Sequence, residues 1–165
     1  MTVQDVMSVN VKRCSPDTDL AAASAMMWDH DCGALPVVED GKLAGMITDR
    51  DICIALGTRD RPAHEVTVRE VQTAKVEVCH PRDELHHAME IMRRAKVRRL
   101  PVVNKEGELQ GVLSLNDLAL RVDHSHGGEL SYEQVMNTIK AVGEHRSHKM
   151  GPRGQNRTQA AAAAS

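Results

Sequence analysis

Two short stretches combine a hydroxyl and a carboxylate three residues apart: Thr48-Asp49-Arg50-Asp51 and Ser114-Leu115-Asn116-Asp117. A carboxylate can accept two neighbouring hydroxyl donors at once, as a sugar diol presents them. Charge-assisted bonds of that kind contribute on the order of 1.5–3 kcal/mol each. The Thr48 or Ser114 hydroxyl can bond an anionic oxygen, and the free N–H groups of a following helix add a favourable dipole end. The same spacing is also that of a capping box, in which Thr48 or Ser114 satisfies the helix start without any ligand. Spacing alone favours the cap, and the two roles are compatible.

Other candidates carry less. Arg93, Arg94, Lys96, Arg98 and Arg99 cluster before the second of two Leu-Pro-Val-Val strands and read locally as a solvated basic face. His124 and His126, beside Asp123, could form half of a metal site, but no third ligand is evident; His86 and His87 are adjacent on a helix and point apart. The cysteines at 14, 32, 53 and 79 form no CxxC pair and read as reduced, mostly buried thiols. No nucleophile–base set and no glycine-rich phosphate loop appears, so the chain reads as a non-enzyme with no required cofactor and no metal.

The elements that position these residues come from an internal repeat. A shift of 65 carries Val3 onto Val68, Cys14 onto Cys79, Pro16 onto Pro81, Leu20 onto Leu85 and Leu35-Pro36-Val37-Val38 onto Leu100-Pro101-Val102-Val103. After one inserted residue, Gly41 meets Gly107, Gly45 meets Gly111 and Asp51 meets Asp117. Each copy opens with a short turn capped by Thr2 or Thr67 and a strand near Val11–Cys14 or Val76–Cys79. Helices follow over Thr18–His30 and Asp83–Ala95, with Leu20, Ala23 and Met27 or Leu85, Ala88, Met89 and Met92 as apolar stripes. Then come two strands and a hairpin, Ala34–Val38 and Leu43–Ile47 around Asp40-Gly41, or Leu100–Val103 and Leu109–Leu113 around Gly107. A closing helix starts at Thr48 or Ser114. Two such β-α-β-β-α units, each too small to bury a core alone, are expected to pack sheet to sheet as one α+β fold.

At these residues the chain resembles the CBS domain, whose tandem pair is called a Bateman module. The signatures are ALPVVEDGKLAGMITDRD and RLPVVNKEGELQGVLSLND, covering about residues 1–124 with their flanks. The overall size is similar to small stand-alone bacterial proteins built on one such pair. The resemblance implies a pseudo-two-fold pair with two clefts, commonly assembled as a homodimer, binding AMP, ADP, ATP or S-adenosylmethionine. It turns Thr48, Asp51, Ser114 and Asp117 into ligand contacts. It also makes Arg98 and Arg99, and to a lesser degree Arg50, phosphate contacts. The adenine would lie between aliphatic walls drawn from Val37, Val38, Ile47 and Val102. Motif 1 is expected over residues 1–63 and motif 2 over residues 64–128, with a C-terminal helix at 129–146 and a disordered tail at 147–165.

Composition limits the partners. The 165 residues carry a net charge of −2 and lack Phe, with Trp28 and Tyr132 the sole aromatics, so nucleic acid is not an expected partner. No apolar run approaches the roughly 20 residues that span a bilayer, and no leader pattern opens the chain. The expectation is a cytoplasmic homodimer that reports a nucleotide to an unknown protein effector, with a ligand-free dimerisation or protein-interaction module as the alternative. Ser131-Tyr132-Glu133-Gln134 caps a last helix whose stripe of Val135, Met136, Ile139 and Val142 could pack in cis or at a dimer interface.

Overall fold

The structure is a computed structural model and describes residues 1–122 and 130–144. The His124/His126 pair and the tail from residue 147 lie outside the described residues. The repeat is visible element by element. Short 3-10 turns at Val3–Asp5 and Val68–Glu70 open the copies. The Thr2 backbone N–H and hydroxyl each donate to Asp5 Oδ2 at 2.8 Å, and Thr67 repeats this with Glu70 at 3.1 and 3.4 Å. Those bonds, led by the backbone N–H, hold both carboxyls below their ordinary range, with Arg61 adding to the effect on Glu70.

Helices α1 (Leu20–Asp29) and α3 (Leu85–Ala95) start two residues later than the expected Thr18 and Asp83, at the first residue of each apolar stripe. The cause at α1 is Asp19, whose carboxylate accepts the Ala22 N–H at 2.8 Å and places the cap there. Strands β1 (Ala34–Glu39) and β2 (Lys42–Thr48) form one antiparallel hairpin, β3 (Arg99–Val103) and β4 (Leu109–Ser114) the other. Asp40 and Gly41 both take positive φ, 50° and 78°, the turn geometry that matches strand twist in a two-residue loop. The residue inserted in the second copy widens that turn, where Asn104 Oδ1 accepts the Glu106 and Glu108 N–H groups at 3.1 and 2.8 Å.

The strands expected near Val11–Cys14 and Val76–Cys79 shrink to single parallel bridges, Cys14 to Val37 and Cys79 to Val102. Pro16 and Pro81 follow two residues later and cannot donate to a ladder, so the pairing goes no further. Helices α2 (Asp49–Arg59) and α4 (Leu115–Arg121) close the copies.

The cores do not respect the repeat boundary. Val3 and Val6, from the start of the chain, are buried with Cys79, Leu85, Met89, Leu100 and Leu113 of the second copy. Val66 and Val68 are buried with Leu20, Leu35, Val37 and Ile47 of the first. Backbone bonds fix the exchange: Ser8 and Val112 donate to each other at 3.0 Å, as do Met46 and Thr73 at 3.0 and 2.9 Å. Gly111 and Gly45 make this possible, because a Cβ would stand 2.5 Å from the Ser8 carbonyl oxygen and 2.7 Å from that of Thr73. Each motif is therefore completed by the segment that precedes the other.

Helix α5 (Tyr132–Gly143) is capped as its sequence predicts, the Gln134 N–H donating to Ser131 Oγ at 3.2 Å and the Ser131 N–H to Gln134 Oε1 at 3.0 Å. It packs in cis against α3 and α4, burying Val135 and Val142 in the second core.

Candidate functional site

Thr48 and Ser114 end β2 and β4 in extended conformation, and each caps the next helix. The Asp51 N–H donates to Thr48 Oγ1 at 3.2 Å; the Thr48 N–H and hydroxyl return to Asp51 Oδ2 at 3.0 and 2.7 Å. Ser114 and Asp117 repeat the arrangement at 3.1, 2.7 and 2.6 Å. Both capping boxes are thus closed, with the hydroxyl proton committed to the carboxylate. What remains is the other carboxylate oxygen, and here the copies part. Asp117 Oδ1 accepts the Ser8 hydroxyl at 3.1 Å, whereas Asp51 Oδ1 makes no hydrogen bond among the described residues.

A cavity of about 360 Å³ gathers Arg98, Arg99 and Ser114 with Leu115 and Asn116 at the start of α4. Its far wall is α5, through Ile139, Val142 and Gly143. Three sequence-predicted residues therefore meet in one place, and a basic pair faces a helix N-terminus there. That combination favours an anionic group. The participation of α5 was not readable from the repeat, which has no counterpart for it; its apolar stripe was the one available signal.

A second, wider groove of about 450 Å³ lies on the first motif between α1 and α2, lined by Trp28, Cys32, Gly33, Asp49 and Cys53 among others. None of the predicted site residues lines it. Asp51, Asp117 and Thr48 are partly buried and outside both cavities. Val37 and Val102 are corrected as adenine walls: both are 0% exposed, on the inward face of their hairpins, and belong to the cores. Ile47 is likewise 0% exposed, and of the four only Val38 keeps partial exposure.

The thiols also divide by place rather than sharing one fate. Cys14 and Cys79 are buried under the hairpins, and burial pushes them up to about 11 and about 12. Cys32 is half-buried and Cys53 exposed, so two of the four thiols expected to be mostly buried are fully so. His86 and His87 are both exposed, and no cluster of three metal-ligating residues occurs among the described residues. No helix of the described residues is long and apolar enough to cross a membrane.

Comparison with known proteins agrees with this fold. The family model described as CBS domain matches residues 3–58 and 68–124. CBS domain-containing protein YhcV of Bacillus subtilis is 36% identical over 119 residues, which is 72% of this chain and 84% of that protein. The solved CBS domain pair of protein MJ0100, in complex with 5′-methylthioadenosine and S-adenosyl-L-methionine, superposes with a TM-score of 0.67 at 25% identity, covering 73% of this chain and 94% of that one. CBSX2 in complex with AMP gives a TM-score of 0.63 at 25% identity over 72% and 93% of the two chains. The chain belongs to the CBS domain family and carries its motif as a tandem pair.

Proposed function

We propose that this chain is a regulatory module, not an enzyme, which binds an adenosine-containing nucleotide between its two CBS motifs and passes the bound state to a partner protein. The observation that carries the reading is the convergence of Arg98, Arg99 and Ser114 on one cavity at the start of α4. Support also comes from solved relatives that hold AMP or S-adenosylmethionine. Asp51 and Asp117 supply the ribose acceptors, Thr48 and Ser114 position them, and Arg98 and Arg99 take the phosphate. A homodimer, an as yet unidentified protein effector and a cytoplasmic location belong to the same proposal.

Thermal unfolding with a panel of AMP, ADP, ATP, S-adenosylmethionine and adenosine tests it. Ligand at about 1,000 times its Kd stabilises the native state by about 4 kcal/mol. Failure of every panel member to raise Tm, together with no nucleotide in the supernatant of denatured protein, overturns the reading. Asp51→Ala and Asp117→Ala are expected to weaken binding beyond their cost in stability.

The second reading is a ligand-free dimerisation or interaction module. Both capping boxes are already closed, which favours it, and Trp28 presents 86% of its surface outward. Unchanged ligand affinity in both Asp variants, with lowered Tm, would select it.

A further inference from the structure

The start of β1 and the start of β3 approach each other, and Gly33 marks the place. A Cβ built on Gly33 would stand 2.9 Å from Asp49 Oδ2 and 3.8 Å from Arg99 Nη2. A carboxylate from the first motif and a guanidinium from the second therefore both come close to the Cβ position of residue 33. Asp49 is held there from both ends. Its N–H donates to the Gly33 carbonyl at 3.2 Å, and its Oδ1 accepts the Arg50 N–H at 2.7 Å. Among the described residues Asp49 and Arg99 do not close into an ion pair. Arg99 also lines the cavity with Arg98 and Ser114, whereas Asp49 lines the groove between α1 and α2.

The second motif has no equivalent. The position matching Asp49 is Leu115, whose N–H makes the same backbone bond, to Arg98 at 3.0 Å, but which brings no charge. The carboxylate is thus not required by the turn itself. It is an addition to one motif, placed beside the basic residue of the other.

Resting on the proposed nucleotide reading, we propose that Asp49 is a specificity-determining counter-charge for the phosphate end of the cleft. It competes with a bound phosphate for Arg99 and repels that phosphate directly. The cleft consequently discriminates against ligands in proportion to the negative charge they bring to Arg99. Uncharged or weakly charged adenosine compounds are favoured over polyphosphates.

The test compares Asp49→Asn with the unsubstituted chain by calorimetric titration of adenosine, AMP, ATP and inorganic tripolyphosphate at fixed ionic strength. Asparagine keeps the shape and the acceptor for the Arg50 N–H. Two unit charges about 7 Å apart predict an AMP complex tighter by roughly threefold at the dielectric of water and by up to roughly fiftyfold at an effective value of about 20 near a protein surface. ATP gains more, adenosine does not change, and the gain shrinks as salt is raised. Arg99→Gln, added to Asp49→Asn, removes the gain. Equal changes for adenosine and AMP, or no change for any phosphate compound, overturn the proposal. If the unsubstituted chain binds no adenosine compound at all, the nucleotide reading has failed by itself. Tripolyphosphate then decides: a gain on Asp49→Asn sustains the counter-charge, and no gain overturns it. A lower Tm with an unaltered AMP-to-adenosine ratio assigns Asp49 to the α2 terminus alone and also overturns it.

Discussion

The exchange of N-terminal segments between motifs can be tested at one atom. In Gly111→Ala the new methyl would stand 2.5 Å from the Ser8 carbonyl oxygen and 3.2 Å from Met7 Sδ. The thioether can swing aside, but the carbonyl belongs to a backbone held by two 3.0 Å bonds to Val112 and by the 3.1 Å bond from Ser8 Oγ to Asp117. The chain has two responses. Keeping the contact incurs overpacking, about 1–3 kcal/mol. Peeling residues 1–8 away loses those three hydrogen bonds and the backbone bonds of Val3 to Asp83, Gln4 to Pro81 and Leu85 to Met1, at about 0.5–1.5 kcal/mol each, and uncovers Val3 and Val6. Peeling costs more than overpacking, so the chain keeps the contact and loses about 1–3 kcal/mol, which at roughly 2–4 °C per kcal/mol lowers Tm by about 2–12 °C. Circular dichroism melts of Gly111→Ala, Gly45→Ala and Gly57→Ala give the comparison. Gly57 lies in α2 with nothing within 4 Å of its Cβ position, so alanine there stabilises by about 0.5–1 kcal/mol through helix propensity. If Gly111→Ala melts at or above the unsubstituted chain, residues 1–8 do not sit against β4 and the exchange is refuted.

Two further outcomes follow from burial. Folding raises the Cys14 and Cys79 thiols to about 11 and about 12, so the folded state prefers their protonated form. The stability this linkage provides is complete below the unfolded thiol value of about 8.5 and is lost as pH rises through the folded values. Tm is therefore expected to fall from about pH 9 upward, and Cys14→Val with Cys79→Val flattens that slope; an unaltered slope refutes the assignment. For α5, Val135 is 3% exposed in the second core, and Val135→Ala is expected to cost about 1–2 kcal/mol. Because the helix packs in cis, that loss does not vary with protein concentration. A concentration-dependent loss would place α5 at an interface between copies.

The parts of this molecule legible in the sequence are those governed by local rules. Asp40-Gly41 specifies its turn because few other residues accept two successive positive φ values. Ser131 and Gln134 specify a helix start, and Thr48/Asp51 and Ser114/Asp117 do the same twice over. What local rules do not contain is which partner an element meets. Val3 and Val68 carry identical signals in identical settings, yet each is buried in the other copy's core. A shift of 65 shows that two segments are equivalent and says nothing of whether they stay at home or exchange. Val37 and Val102 failed for a related reason. A run of consecutive apolar residues on a hairpin leaves its inward face undecided until the helices are placed, and in this fold α1 and α3 lie over those two valines' side.

The exchange also bears on how binding could reach another protein. Ser8 belongs to the segment that completes the second motif, and its hydroxyl occupies the Asp117 oxygen that a sugar diol would need. At Asp51 the matching oxygen carries no such bond among the described residues. Under the proposed nucleotide reading, a diol at Asp51 would find that oxygen without a hydrogen bond among the described residues, while one at Asp117 would share or compete for an oxygen that Ser8 already engages. Ser8 is tied in turn to Val112 by two 3.0 Å bonds, which link that oxygen to the start of the chain. The two copies share a capping box built to one plan. One difference between the two boxes is a serine hydroxyl, which engages Asp117 and has no counterpart on Asp51 among the described residues.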